Sequence, residues 1–410
     1  MEALTPMKPI TTAILSIHLL GYAAVACAQG TRKPLAVVPL KAPVMVGQPV
    51  TLTARGSGKL VWDFGDGRKG MGPSISHTYE KPGVYRVVTS ARGATAQTSL
   101  ILRVHTPETV NLPQVLLDTD ARNEQDDQHY IAYALKSGLD ILGINSIHHG
   151  GGQEPMNYGE IQFVLQLAQA SKVPPGRIPL ILHGADQPLE VPASGKWSDT
   201  RPVASQASDA ILAAARGATP TNPVWVLPVG PGTNVASAIL QARQEGLDLK
   251  GRLRVVWLGG GPETVDVKSF NGKNDPWSVH VVAESGIETW IILENPTSGR
   301  LRIDKRTESN LYPKDQLGAY LLQIIPAESK SLFDVTTLSM VIADHLKLPW
   351  ITNFEPVTVA GPAGKYRWEK SESSSVRLVR TIDHEAMKQD FFETLNGRPT
   401  PLLIRVAERP

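Results

Sequence analysis

The sequence predicts an α/β fold, a mostly parallel sheet flanked by helices, preceded by a small all-β sandwich. Three observations carry this. From Leu35 to Val104 the apolar residues come in short alternating or β-branched runs separated by Gly, Pro and Asp turns. From Gln114 the pattern changes to continuous apolar runs alternating with helical periods, as expected of strands buried on both faces. The length of 410 residues, 41% of them hydrophobic, suffices for two or three packed domains.

The first 28 residues read as a secretory signal. Lys8 supplies the positive start, an apolar run follows from Ile10, and Ala26-Cys27-Ala28 resembles a small-residue cleavage site. The run approaches the ~20 residues a spanning helix needs, but His18 and the small residues after Leu20 favour a cleaved segment. The expected location is therefore secreted or periplasmic, with a membrane or lipid anchor as the lesser alternative. Cys27 is the only cysteine, so the rest of the chain has neither disulfides, thiolate metal sites nor a cysteine nucleophile.

Residues 35–105 form the sandwich, with strands expected in "QPVTLTARG", "KLVWDFGDG", "GVYRVVTSARG" and "QTSLILRV". "GDG" supplies turn residues that tolerate positive φ, and Trp62, Phe64, Tyr79 and Tyr85 supply core. The run Trp62-Asp63-Phe64-Gly65-Asp66-Gly67, then His77-Thr78-Tyr79 and Pro82-Gly83-Val84-Tyr85, closely resembles the PKD (polycystic-kidney-disease type) immunoglobulin-like domain. It reads as a spacer, with carbohydrate or cell-surface contact as the alternative. "HTPETVNLP", from His105, is a short polar linker.

In the second domain, 113–400, six strands are expected in "VLLDTD", "ILGINSI", "IPLIL", "VWVLPVG", "LRVVWLG" and "TWIILEN". The helices between them are expected in "DDQHYIAYALKSG", "NYGEIQFVLQLAQAS", "ASDAILAAARG", "TNVASAILQARQEG" and "SVHVVAESG". Sites in such sheets form at the carboxyl ends of the strands. That is where the unusual residues stand: "DTDARNEQDDQ" after the first strand, "HGADQPL" after the third, "PVGPGTN" after the fourth, "LGGGPETVDVKSFNGKNDP" after the fifth and "SLFDVTTLSMVIAD" beyond the sixth.

The stretch Val115 to Leu135 holds Asp118, Asp120, Glu124, Asp126 and Asp127 between two apolar runs. Burying like charges costs several kcal/mol each unless something positive sits among them. A hard cation such as Ca²⁺ takes ~6 to 8 oxygens, so carboxylates from separate loops suit it. Asp120, Asp127 and Asp334 are the candidates. Lys plus Arg total 41 against 39 acidic residues, which leaves no electrostatic footprint for nucleic acid. His148 and His149 follow "ILGINSI" at a strand end, where either could bind substrate or protonate a leaving group.

From Gln114 to about Leu395 the chain resembles the nucleoside hydrolases, which use Ca²⁺ to cleave the N-glycosidic bond of ribonucleosides. The family's Asp-x-Asp and Asp-Asp are matched by Asp118, Asp120, Asp126 and Asp127, its Gly-Pro-Leu-Thr-Asn by Gly230-Pro231-Gly232-Thr233-Asn234, its Phe-Asn and Asp-Pro by Phe270-Asn271 and Asp275-Pro276, and its late Asp by Asp334. The resemblance implies Asp120 as the base that activates a water and a metal neighbour, with Asp127, Asp334 and the Val229 carbonyl as ligands. It implies Asn271 as a sugar ligand and Asp126 as a catalytic contact to water or a ribose hydroxyl.

Departures from the pattern bear on specificity. Five residues, Ala121 to Gln125, separate Asp120 from Asp126, where the family has three, and the usual Pro-Gly is missing. This form is closer to the nucleoside-hydrolase-like domain found beside carbohydrate-binding modules in some secreted bacterial proteins. Ser269 stands where a sugar-binding Glu is expected, Phe333 where one branch places an acid-acting His, and "HHGGGQ" replaces a Gly-Asn, with Gln153 or Asn157 as substitutes. The expected function is an exported Ca²⁺-dependent hydrolase of ribonucleosides, giving ribose and free base. The alternative is a carbohydrate-associated protein of the same fold that acts on another glycoside or binds sugar without turnover. The expected partner is a small-molecule substrate, and the reading leaves room for a homo-oligomer.

Overall fold

A computed structural model describes residues 35–92, 97–107, 109–173, 178–260, 269–326, 328–362 and 364–397. The signal segment with Cys27, and residues 398–400 of the expected second domain, lie outside the described residues.

In the first domain, β1 (Ala36–Val37), β3 (Pro49–Arg55) and β6 (Ser74–Thr78) make one sheet. The other runs β2 (Val44–Met45), β8 (Gln97–His105), β7 (Gly83–Ala91), β4 (Leu60–Asp63), β5 (Lys69–Met71). Leu52, Leu60, Trp62, Phe64, Tyr79, Val87 and Leu100 fill the space between them. None of the described aromatic side chains here is exposed, since the rings that would build a sugar platform are in the core. His105 is the buried last residue of β8 and Gln114 Nε2 lies 3.0 Å from its Nε2, so the linker starts one residue later than its polarity suggests.

The second domain is built on a nine-stranded sheet in the order β11 (Ile181–Leu182), β10 (Asp140–Ser146), β9 (Gln114–Thr119), β12 (Val224–Pro228), β13 (Leu253–Gly260), β14 (Glu288–Leu293), β19 (Val376–Ile382), β17 (Ile351–Ala360), β18 (Arg367–Lys370). Pairings from β11 through to β19 are parallel, and β17 alone runs the other way, paired antiparallel with β19 and with β18. All six expected strands are present. β11 is short, with pairing confined to its last two residues.

Helices cover both faces. One holds α1 (Asp126–Lys136), α2 (Glu154–Ala170), α8 (Gln316–Ile324), α9 (Val335–Leu346) and α10 (His384–Leu395), the other α3 (Gln206–Gly217), α4 (Thr233–Glu245) and α6 (Pro276–Glu284). Short elements connect them: α5 (Phe270–Asn274), α7 (Lys305–Glu308) and the antiparallel pair β15 (Arg302–Asp304) and β16 (Ser329–Ser331). No helix among the described residues is long and apolar enough to cross a membrane.

Strands β9, β10 and β11 are laid down in one direction and β12, β13 and β14 in the other, so the order reverses between β9 and β12. That reversal opens a crevice at the carboxyl ends of these two strands. Asp120 follows β9 and Val229 follows β12, one on each side of it. The first domain sits at the other end of the sheet. Arg103 pairs with Asp140 at the start of β10 (2.8 Å), and Arg216 of α3 donates to the Ser99 carbonyl (2.6 Å).

Candidate active site

Three segments bring carboxylates to the crevice: the one from β9 into α1, the one after β14 and the one before α9. Asp126 and Asp127 open α1, whose N-cap is Gln125 and has no side-chain cap, so neither carboxylate is used in capping. Helix N-termini favour negative charge, which lets both stay in the first turn. Asp334 is the N-cap of α9 and likewise makes no side-chain cap. Oxygens of Asp126, Asp127 and Asp334 lie within 4.8 Å of one another, and all three residues are buried. Asp120 lines the same pocket and is 1% exposed.

The pocket, about 100 Å³, is completed by Asn123, Glu124, Val229, Leu258, Phe270, Asn271, Glu294 and Phe333. Gly230 has to be glycine: a Cβ there would stand 2.7 Å from Ile147 and 3.1 Å from the Asp120 carboxyl carbon. The turn after β12 can therefore pass close behind Asp120.

Side chains from the neighbouring motifs hold the frame. Asn234 Nδ2 donates to Asp118 Oδ2 (3.0 Å) and the Ser146 carbonyl (2.9 Å), while its Oδ1 accepts from Ala185 N (2.8 Å). It ties the ends of β9 and β10 to the loop after β11. Thr233 donates to Asp275 (2.6 Å), and Asp275 caps α6 through Ser278 N (2.9 Å). Asp275 is thus a structural cap. Asn271 enters the pocket with Nδ2 donating to the carbonyls of Val229 and Leu258, each at 2.7 Å.

The histidines stand elsewhere. His148 is fully buried, its Nε2 2.9 Å from Thr233 Oγ1, and burial lowers its pKa to about 4. At neutral pH that ring is neutral and lacks the acidic imidazolium proton that would protonate a leaving group. His149 Nδ1 lies 3.2 Å from Asn157 Nδ2. Neither histidine lines the acidic pocket. Asn157, a suggested substitute in the site, instead holds the insert by accepting from Arg122 N (3.0 Å) and donates to the Ile147 carbonyl (2.6 Å).

Two residues here escape a reading of the sequence. Lys330 on β16 reaches in to pair with Asp126 (3.0 Å) and with Glu124 of the insert, its ammonium 5.1 Å from the Phe333 ring centre. A lone lysine in a short strand gives no sequence signal. Glu294 lines the pocket immediately after β14. Its signal is there to be found: it is an acidic residue at the carboxyl end of an expected strand.

Electrostatics makes the pocket a cation site. Burial, with the neighbouring Asp127 charge, pushes the Asp120 carboxyl well above the ordinary carboxylate range. Burial and Asp126 do the same for Asp127 and Asp334. Asp126 is also raised by burial, opposed by Lys330. One lysine cannot neutralise four buried carboxylates, and Asp120 Oδ2 is buried with no hydrogen-bond partner among the described residues. An all-oxygen donor set with unspent charge fits a hard divalent ion.

Without such an ion these groups destabilise the fold as pH rises. A carboxylate whose folded pKa is raised contributes stability that is complete below its unfolded value near 3.8 and is lost as pH climbs through the folded value. Asp118, on β9 behind the pocket, is raised by burial to about 7, so its own contribution is lost between about pH 4 and 7; the pocket carboxylates are raised in the same sense. The melting temperature of chelator-treated protein should fall as pH rises from about 4 to 7. The increment given by added Ca²⁺ should grow over the same range.

Comparison with known proteins accords with this geometry. The profile of the inosine-uridine preferring nucleoside hydrolases matches residues 115–389, and that of the PKD domain residues 35–106. The chain belongs to the nucleoside hydrolase family. Nucleoside hydrolases are metal-dependent hydrolases of N-glycosyl compounds, and this chain is an enzyme of that class.

Solved nucleoside hydrolases share the fold. An inosine-guanosine nucleoside hydrolase superposes with a TM-score of 0.52 at 17% identity, covering 69% of this chain and 98% of its own. The inosine-uridine preferring nucleoside hydrolase from Bacillus anthracis gives 0.51 at 17%, covering 70% and 100%. The purine-preferring ribonucleoside hydrolase from Gardnerella vaginalis gives 0.50 at 15%, covering 70% and 99%. No curated protein matches significantly in sequence. This nucleoside hydrolase thus has the family's fold.

Lys330 should weaken cation binding, since it repels a cation and holds Asp126 away from one. Lys330→Met is expected to tighten Ca²⁺ by roughly tenfold, about 1.4 kcal/mol, measured by calorimetry. Unchanged or weaker binding would mean that Lys330 holds the ligands in place instead.

Proposed function

We propose that the protein is an exported Ca²⁺-dependent hydrolase that cleaves ribonucleosides to ribose and free base. The observation that carries this is the convergence of Asp126, Asp127 and Asp334 beside an Asp120 oxygen that has no hydrogen-bond partner among the described residues. Ca²⁺ rather than Mg²⁺ suits a set of carboxylates and a backbone carbonyl on separate loops. Export rests on the N-terminal sequence, with its basic start, apolar run and small-residue site.

Asp127, Asp334, Asp120 and the Val229 carbonyl would hold the ion, which supplies charge that acidifies a water and orients the sugar hydroxyls. Asp120 Oδ2 takes a proton from the attacking water. The water oxygen bonds to the anomeric carbon as the C–N bond breaks; the C–N electron pair leaves on the base nitrogen, which takes a proton from solvent, and Asp120 returns its proton to solvent. The surrounding carboxylates stabilise the positive charge that develops on the sugar ring. Asp126, fixed by Lys330, is placed to accept from the water or a ribose hydroxyl, and Asn271 faces the sugar.

A second reading, action on another glycoside or binding without turnover, is favoured by Phe333, an apolar wall where a leaving-group acid would help. The experiment is a panel of inosine, uridine, adenosine, guanosine and cytidine with Ca²⁺, repeated in chelator. Ribose release that chelator abolishes is the expected result. No release from any nucleoside, while Ca²⁺ still raises the melting temperature, would favour the second reading.

A further inference from the structure

Glu294 is a half-buried carboxylate that the proposed steps leave unused. It follows β14 at the carboxyl edge of the sheet and lines the pocket beside Phe270 and Asn271. It is not one of the three carboxylates whose oxygens cluster, and no ion pair is found for it among the described residues. Ser269 Oγ donates to its Oε1 (2.6 Å), Phe270 N to its Oε2 (3.1 Å) and Asn271 N to its Oε1 (3.4 Å).

These donors fix the carboxylate without exhausting it, because two carboxylate oxygens accept at about four lone-pair positions. Two of these donors, Phe270 N and Asn271 N, are the first backbone N–H groups of α5, so Glu294 shares the capping of that helix with Ser269. Ser269 Oγ accepts from Gly272 N (3.2 Å) as that helix's N-cap. Next to it, Asn271 spends Nδ2 on two carbonyls, and no hydrogen bond reaches its Oδ1 among the described residues. This wall of the pocket therefore offers acceptors and needs donors. A polyol supplies donors, whereas an anionic group would be repelled.

We propose that Glu294, held by Ser269, accepts a hydrogen bond from one hydroxyl of the bound sugar, so that a glutamate from the end of β14 supplies the acceptor that position 269 lacks. Ser269 is then a positioning residue. This rests on the sugar-binding part of the reading above, and the test separates the two.

Wild-type protein, Glu294→Gln and Ser269→Ala are assayed on a ribonucleoside and its 2′-, 3′- and 5′-deoxy analogues. Binding of D-ribose with Ca²⁺ is followed in parallel by calorimetry. Wild type should disfavour one analogue by about 100-fold in kcat/KM, and Glu294→Gln should shrink that one ratio to less than about threefold while leaving the other two unchanged. Ser269→Ala should shrink the same ratio partly, mainly through KM. D-ribose affinity should fall about tenfold or more in Glu294→Gln, with the Ca²⁺-induced melting shift retained.

Equal discrimination and equal ribose affinity in wild type and Glu294→Gln would overturn the proposal. If no nucleoside is cleaved, the ribose arm decides by itself: weaker binding in the variant upholds the proposal although hydrolysis has failed, and equal binding overturns it. Should Glu294→Gln not fold, Ser269→Ala decides on the same ratio and the same ribose affinity.

Discussion

Asp120→Asn is expected to lower kcat for nucleoside cleavage by about 10³- to 10⁴-fold, toward the upper end of what a general base contributes. The substitution keeps the shape of a side chain that is 1% exposed, so the fold should survive. It leaves an amide oxygen able to approach a cation but removes the group that can accept a proton. The loss should therefore lie in kcat, with saturation by Ca²⁺ still reached at a higher concentration. Steady-state kinetics at several Ca²⁺ concentrations separate the two effects. Activity restored by excess Ca²⁺ would assign Asp120 to metal binding alone.

Asp334→Asn should act on the other half of the site. Ca²⁺ at 100 times its Kd should stabilise wild type by about 2.7 kcal/mol, a shift of roughly 5 °C or more. Losing one of three clustered carboxylates should remove most of that shift. At neutral pH the metal-free variant should also melt higher than metal-free wild type. Asp334 is held well above the ordinary carboxylate range by burial and by Asp126, so its removal relieves repulsion that only a cation otherwise offsets. Thermal melts with Ca²⁺ and with chelator measure both effects. A metal-free variant less stable than wild type would show that Asp334 serves the fold in some other way.

Most of the architecture is legible in the amino-acid pattern, for a physical reason. Strands β9 to β14 are buried on both faces and so are continuously apolar, and the helices between them keep a helical period. The two strands at the far edge are harder to read. β17 is ten residues long and mostly half-buried or exposed, and β18 shows a single buried residue, so neither carries the signature of an interior strand. They close the far edge of the sheet by antiparallel pairing, which periodicity alone does not reveal.

At the site, the residues legible in sequence are those adjacent to turn and cap motifs: Asp120, Asp126, Asp127, Val229, Asn271 and Asp334 line one pocket. His148 looks similar in sequence, but its ring turns to Thr233 in the interior. The direction of a side chain after a strand end depends on loop geometry that no spacing encodes. Lys330 is the reverse case, distant in sequence and featureless, yet bonded to the insert through Glu124 and to the cluster through Asp126. The insert from Ala121 to Gln125 is accordingly a pinned segment. Arg122 meets Glu160 (3.1 Å) on α2, and Glu124 meets Lys330 on the pocket side.

The central claim is that the acidic pocket is a catalytic cation site. Its most direct test is to strip the protein with chelator and follow ribose release from a ribonucleoside as Ca²⁺ is added back, with bound Ca²⁺ measured in the same samples. Activity should rise from background in proportion to one bound ion per chain and be absent in Asp334→Asn. Full activity in the stripped protein, or ion binding that Asp334→Asn leaves intact, would contradict it.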